Sequence, residues 1–221
     1  MEILGIEIKW LGHASFKIEK EQKIFIDPFQ IRIPEKDADL ILITHDHFDH
    51  CSIDDIKMLV NKQAVIIASK MCRAKVDNFK SDVAKILYFA PEDRAKVNNA
   101  EIEAVPAYNI NKFRAPGVVF HPKEMNYVGY IIEIDKVRIY HAGDTDFIPE
   151  MNNFGKIDIA LLPIGGTYTM NVEEAIEAVN AIRPKYAIPM HYGSIVGSDK
   201  DAEKFEKLAS EYTKVIVMKK E

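Results

Sequence analysis

Short apolar runs punctuate the whole chain, and their period changes with position. Residues 6–9 and 15–19 alternate apolar with charged, which predicts two antiparallel strands joined through Gly12-His13. Residues 23–26 predict a third strand, stopped by Asp27-Pro28 because proline cannot extend a ladder. Residues 40–43 are apolar without interruption, the pattern of a strand covered on both faces. Ser52 then stands as an N-cap before Ile53, Ile56, Leu59 and Val60, a helical spacing with acids in the first turn. Strands follow at 64–68, 85–89 and 102–105, with a short helix at 71–78. Residues 106–117 carry no period and predict a loop. Residues 128–134 and 137–141 predict a hairpin turning at Asp135-Lys136. A buried strand at 158–163, a helix at 172–182 opened by Asn171, a strand at 185–190, a helix at 205–212 and an edge strand at 215–218 complete the pattern. Nothing repeats and no linker interrupts it, so residues 1–221 read as one domain.

The candidate chemistry sits where these strands end. Thr44-His45-Asp46-His47-Phe48-Asp49-His50 leaves the strand at 40–43 and places three of the chain's seven histidines within six residues. Imidazole and carboxylate together suit Zn²⁺ or a similar divalent cation, and five potential ligands exceed what one catalytic ion takes, so the cluster has material for two. Asp27, Asn109, Asp144, Gly165-Gly166 and His191 also follow directly on apolar strands. If those strands run the same way in one sheet or in two stacked sheets, these groups meet along one edge. Asp27 has two readings, a carboxylate that orients a ligand imidazole or a plain turn residue before proline. His13 is either structural or part of the site, His141 is expected to be packed inside its strand, and Cys51 to be small and buried rather than reactive.

Composition narrows the class. With 48% hydrophobic residues in 221 there is enough apolar surface for a core. A net charge of -5, from 34 acids and 29 bases with no basic block, argues against a nucleic-acid partner, although a nuclease with a local basic groove stays open. The first seven residues mix acids into an apolar stretch, unlike a secretory signal, and no run reaches the ~18 apolar residues of a membrane helix. A soluble cytoplasmic protein is expected, acting on a small molecule without a membrane partner; a homo-oligomer is left open. Two cysteines cannot build a disulfide framework.

The motif at residues 44–50 resembles the His-x-His-x-Asp-His signature of the metallo-β-lactamase-fold hydrolases, and Asp27, Gly143-Asp144-Thr145 and His191 fall in that superfamily's order. Trp10-Leu11-Gly12-His13-Ala14-Ser15, Ile26-Asp27-Pro28 and Pro189-Met190-His191-Tyr192-Gly193 are similar to the branch of the ascorbate-6-phosphate lactonases and related metal-dependent hydrolases. The resemblance implies an α/β fold, a four-layer αββα sandwich with the metal site along one edge between the sheets. It implies that His45 and His47 bind a first ion, Asp49 and His50 a second, that Asp144 bridges both and that His191 completes the second. The cofactor would be one or two divalent ions, zinc foremost, with manganese or iron as alternatives. A bridging hydroxide would attack a carbonyl carbon or phosphorus, while Asp46 would bind no metal and would orient or accept a proton. The chain departs from the family where a further first-site histidine is expected, since Asn109 stands there. The first site is then weakened, filled by His121, or empty, and a histidine at 109 would strengthen it. The expected function is hydrolysis of a small anionic ester, lactone or phosphoester, with Lys112, Arg114 and Lys123 available to hold the charge. The alternatives are a phosphodiesterase or nuclease, and a metal-binding member of the fold without turnover.

Overall fold

The computed structural model describes residues 1–32 and 34–221. Sheet A carries seven strands in chain order, β1 (Glu2–Ile3), β2 (Ile6–Gly12), β3 (Ser15–Glu19), β4 (Lys23–Ile26), β5 (Leu40–Ile43), β6 (Val65–Ser69) and β7 (Lys85–Phe89). It is antiparallel from β1 to β4 and parallel from β4 to β7. Helix α1 (Ile53–Leu59) links β5 to β6, and a broken segment around α2 (Arg73–Val76) links β6 to β7. Next come β8 (Arg94–Val97), β9 (Ala100–Pro106), the small pair β10 (Phe113–Ala115) and β11 (Val118–Val119), β12 (Val128–Ile134), β13 (Val137–His141), β14 (Ile159–Pro163), helix α3 (Val172–Ile182), β15 (Tyr186–Met190), helix α4 (Asp199–Ala209) and β16 (Lys214–Val215). Sheet B has the order β16-β15-β14-β13-β12-β9-β8, parallel from β13 to β16 and antiparallel across β8, β9, β12 and β13.

The uninterrupted run at β5 explains the layering. Leu40 and Leu42 face the core shared with Ile132, Ile139 and Leu161 of sheet B, whereas Ile41 and Ile43 face Ile56 and Leu59 of α1. All four are fully buried, each worth about 2 kcal/mol of apolar transfer. On the far side, Val172, Ala175, Val179 and Ile182 of α3 and Phe205 of α4 join the core of sheet B. Helix, sheet, sheet, helix is therefore the observed order, the four-layer αββα sandwich.

Strand direction gathers the chemistry. The C-terminal ends of β4 and β5 lie side by side, as do those of β13, β14 and β15, and β9 runs with β13 because β12 is antiparallel to both. Bonds between the sheets close this edge: the Val128 N–H donates to the Thr44 carbonyl at 3.2 Å, the His191 N–H to the His13 carbonyl at 2.9 Å, and the Tyr130 hydroxyl to the Ile43 carbonyl at 2.9 Å.

Several elements differ from the sequence pattern. The helix expected at 71–78 is three short turns, and α4 begins six residues before 205, where Ser198 and Asp201 form a capping box. The 215–218 edge strand shrinks to a two-residue pairing of β16 with β15. Strand β8 was not expected; it folds back on β9 through Asn98-Asn99, with Asn98 at φ 53°. Among the described residues no helix is long and apolar enough to cross a membrane.

Candidate metal centre

Three sets of side chains bring potential ligand atoms within 4.8 Å of one another: His45, His47 and His121; His13, Asp49, His50 and His191; and His45, His50 and Asp144. Asp144 joins the two halves. Its Oδ2 lies 3.4 Å from His121 Nε2 and 3.9 Å from His45 Nε2, while its Oδ1 lies 3.2 Å from both His50 Nε2 and His191 Nε2. Gly143, at φ 63°, makes the exit from β13 that delivers this carboxylate, and a Cβ there would press on Val128 and Thr44 at 3.0–3.2 Å. Gly165 is similarly constrained, since a Cβ would meet the His191 carbonyl at 2.4 Å.

The other ring nitrogens are held by the protein. His50 Nδ1 donates to Asp27 Oδ2 at 2.8 Å; Asp27 also accepts from the Thr44 N–H at 2.8 Å and from Thr44 Oγ1 at 2.6 Å. Because the Thr44 hydroxyl gives its proton to Asp27, its oxygen is free to accept from His45 Nδ1 at 3.0 Å. Asp27 is therefore the imidazole-orienting carboxylate of its two readings, buried at the end of β4 with φ 44°. His121 Nδ1 donates to Asn109 Oδ1 at 2.9 Å. This arrangement leaves Nε2 of His45, His50 and His121 facing inward.

A cation fits this donor set. Nε2 of His45, His50 and His191 and Oδ1 of Asp144 are buried and, among the described residues, have no hydrogen-bond partner. Burial holds His45 well below the usual imidazole pKa, with His50 adding to the effect, and lowers His47; it takes His121 down to about 4. These shifts favour the neutral form of the three rings, the form with a lone pair to give. Burial also lowers His13, more than its bond to Asp49 raises it. His50 is the opposite case: burial opposes its charge, but Asp144 and Asp27 outweigh that and raise it well above the usual range. Burial works against ionisation of Asp144 and Asp49, yet His191 and His50 hold the first well below the carboxylate range and the His13 bond brings the second to about 2.

One expectation changes on this geometry. Asn109 is not placed as a ligand: its Oδ1 accepts from both the N–H and Nδ1 of His121 at 2.9 Å, and its Nδ2 donates to Asp146 Oδ1 and the Tyr168 carbonyl. An amide that accepts twice can orient the ring of His121, which falls in one set of potential ligands with His45 and His47. A histidine at 109 would remove that amide oxygen from the ring of His121. Asp46 belongs to none of the three sets, in line with the expectation that it binds no metal; its carboxylate accepts from the Tyr127 hydroxyl at 2.9 Å and its carbonyl from Lys75 at 2.6 Å. His13, by contrast, is drawn in, with Nε2 2.9 Å from Asp49 Oδ2. His141 is packed as expected, donating from Nε2 to the Ala14 carbonyl at 2.8 Å.

The centre opens into a cleft of about 270 Å³ lined by His47, Phe48, Asp49, Phe120, His121, Asp144, Tyr168 and Ile195. A hollow of about 450 Å³ over β8 and β9 lies away from the cluster, and another of about 500 Å³ beside Trp10 and Tyr192 touches it only at His13. The loop cations do not line the cleft. Lys112 is buried against Glu174, with both carboxylate oxygens at 2.7 Å, and Lys123 pairs with Glu150 at 2.8 Å. Sequence reasoning missed Asp146, which accepts from the N–H groups of Ile110 and Asn111 and so shapes the loop; its position in Gly143-Asp144-Thr145-Asp146 was the available signal.

The model of the β-lactamase superfamily domain matches residues 7–191, from β2 to the last histidine of the cluster. The chain belongs to this superfamily. A metal-dependent hydrolase of Pyrococcus furiosus is 36% identical over 228 residues, covering 97% of this chain and 96% of that one. Among solved structures of the fold, one from Parabacteroides distasonis is 32% identical with a TM-score of 0.80, covering 96% of this chain and 92% of its own. Igni18, a metallo hydrolase of Ignicoccus hospitalis, is 26% identical with a TM-score of 0.74, covering 97% and 95%.

Proposed function

We propose that this metal-dependent hydrolase of the β-lactamase superfamily cleaves a small anionic ester, lactone or phosphoester. One or two divalent cations, zinc foremost, would be held by His45, His47 and His121 on one side and by Asp49, His50 and His191 on the other. Asp144 would stand between them, with His13 beside Asp49. The observation that carries this reading is the convergence on Asp144 of buried Nε2 atoms without a hydrogen-bond partner among the described residues: those of His50 and His191 at 3.2 Å from Oδ1, and that of His45 at 3.9 Å from Oδ2. Such cations, when bound, act as Lewis acids and bring the pKa of a coordinated water toward neutrality. The chain's own part is positional. Asp27, Thr44 and Asn109 fix the imidazoles, and the cleft walls limit the size of what enters.

A small substrate is favoured over nucleic acid because, among the described residues, no lysine or arginine lines the cleft. With Lys112 and Lys123 already paired, a negative charge next to the scissile bond would rest on the bound cations. The lactone class, suggested by the sequence resemblance, is one of three to be compared. Elemental analysis together with hydrolysis of a carboxylic ester, a lactone, a phosphomonoester and a phosphodiester tests the reading. Metal-dependent turnover of at least one substrate, lost with the metal in His45→Ala, is expected. Tight metal binding without turnover of any, or unchanged metal content in His45→Ala, overturns it.

A further inference from the structure

Four of the residues that line the cleft can touch a cation, and the remaining four, Phe48, Phe120, Tyr168 and Ile195, carry no charge. Phe48 lies inside the metal motif yet is 66% exposed, its ring meeting Phe29 edge-on at 5.9 Å. Phe120 and Tyr168 form a second edge-on pair at 4.7 Å, and the backbone of Tyr168 is pinned by Asn109. Ile195 is 38% exposed. The protein's own core does not use these surfaces fully, although they border the histidine and aspartate cluster, and an apolar wall beside converging polar groups is how small-molecule sites are built.

The geometry points to the substrate class of that site: the non-reacting part of the substrate is an aromatic or compact apolar group that packs between Phe48 and the Phe120–Tyr168 pair. This inference rests on the hydrolase reading above, which supplies the anionic end. The wall offers one side-chain hydroxyl, that of Tyr168, so a polyhydroxylated group would lose its hydration with little return. At about 270 Å³ the cleft is at the lower end of small-molecule sites, which favours a single ring or a short branched chain.

Calorimetric binding of phenylphosphonate and methylphosphonate to the metal-loaded protein tests this without requiring turnover. Phenylphosphonate should bind at least about tenfold more tightly, and the ratio should fall to about twofold or less in Phe48→Ser, a change at an exposed position that the fold tolerates. Tyr212→Ser, at an exposed aromatic outside the cleft, should keep the ratio. Equal affinity for the two ligands, or binding of neither, overturns the inference; the hydrolase reading stands or falls separately, on the turnover and metal-content measurements above. A preference that survives in both Phe48→Ser and Phe120→Ser also overturns it. So does equal affinity accompanied by a concentration-dependent dimer that Phe48→Ser abolishes, because the apolar wall would then face a second copy of the chain.

Discussion

The two halves of the metal centre are built differently. His13, Asp49, His50 and His191 are all buried; His13 and His191 follow directly on β2 and β15, one strand from each sheet, and a backbone bond from His191 to His13 ties those sheets together across the site. His45 and His47 share the motif with that half, but their third partner, His121, comes from the connection between β9 and β12, and His47 is only half-buried. The second half therefore depends on the scaffold and the first on how a loop is held. A site of this kind has one fixed and one adjustable side, and the adjustable side gives the cleft two of its walls, His47 and His121, against Asp49 from the other.

The strongest way to break the comparison is to remove what the halves share. Asp144→Ala should empty both, with kcat/KM falling by roughly three orders of magnitude, as expected when a cation's charge stabilisation is lost. Elemental analysis showing metal kept in either half would show that Asp144 is not common to them. Asp27→Ala comes next. It leaves the Thr44 N–H, the Thr44 hydroxyl and His50 Nδ1 without their acceptor in a fully buried place, for a loss of about 3 kcal/mol and a Tm lower by roughly 6–12 °C in calorimetry. A Tm within two degrees of the parent would mean that water replaces the carboxylate.

The difference between the halves is sharpened at Asn109. Asn109→Ala and Asn109→His should each weaken metal binding in the first half by roughly 10–100-fold while the second half keeps its affinity, read by competition with a chelator. Tighter binding in the histidine variant would place position 109 among the ligands after all. The smallest effect is expected at Tyr127→Phe, which removes the hydroxyl from Asp46 for about 1 kcal/mol and leaves metal content unchanged. A large fall in turnover there would return Asp46 to the chemistry.

The legible parts of the molecule were those set by local pattern. Leu40 to Ile43 announced a strand covered on both faces, Asn171 and Glu174 the start of α3, and the residues after each strand the edge where the site forms. Helix α4 was legible only from Phe205 onward because its first turns are charged and bury Ala202 alone, so its beginning is marked by the cap and not by an apolar stripe. The role of Asn109 depends on the closure of a loop that brings it to His121, twelve positions away. No period along the chain records such a contact. Lys112 misled for a related reason: its partner Glu174 is sixty-two positions on, and a paired lysine reads the same as a free one in sequence.

Phe120 and His121 are neighbours on one segment, the first a wall of the cleft and the second a potential ligand whose ring is held by Asn109. Occupancy on one side of that segment is coupled to occupancy on the other to the extent that both favour the same arrangement of it. A neutral aromatic molecule, with no group to reach a cation, should raise the metal affinity of the first half if it steadies this segment. By reciprocity the metal should tighten that molecule's binding by the same factor. Chelator competition with and without such a molecule would measure that cooperativity directly.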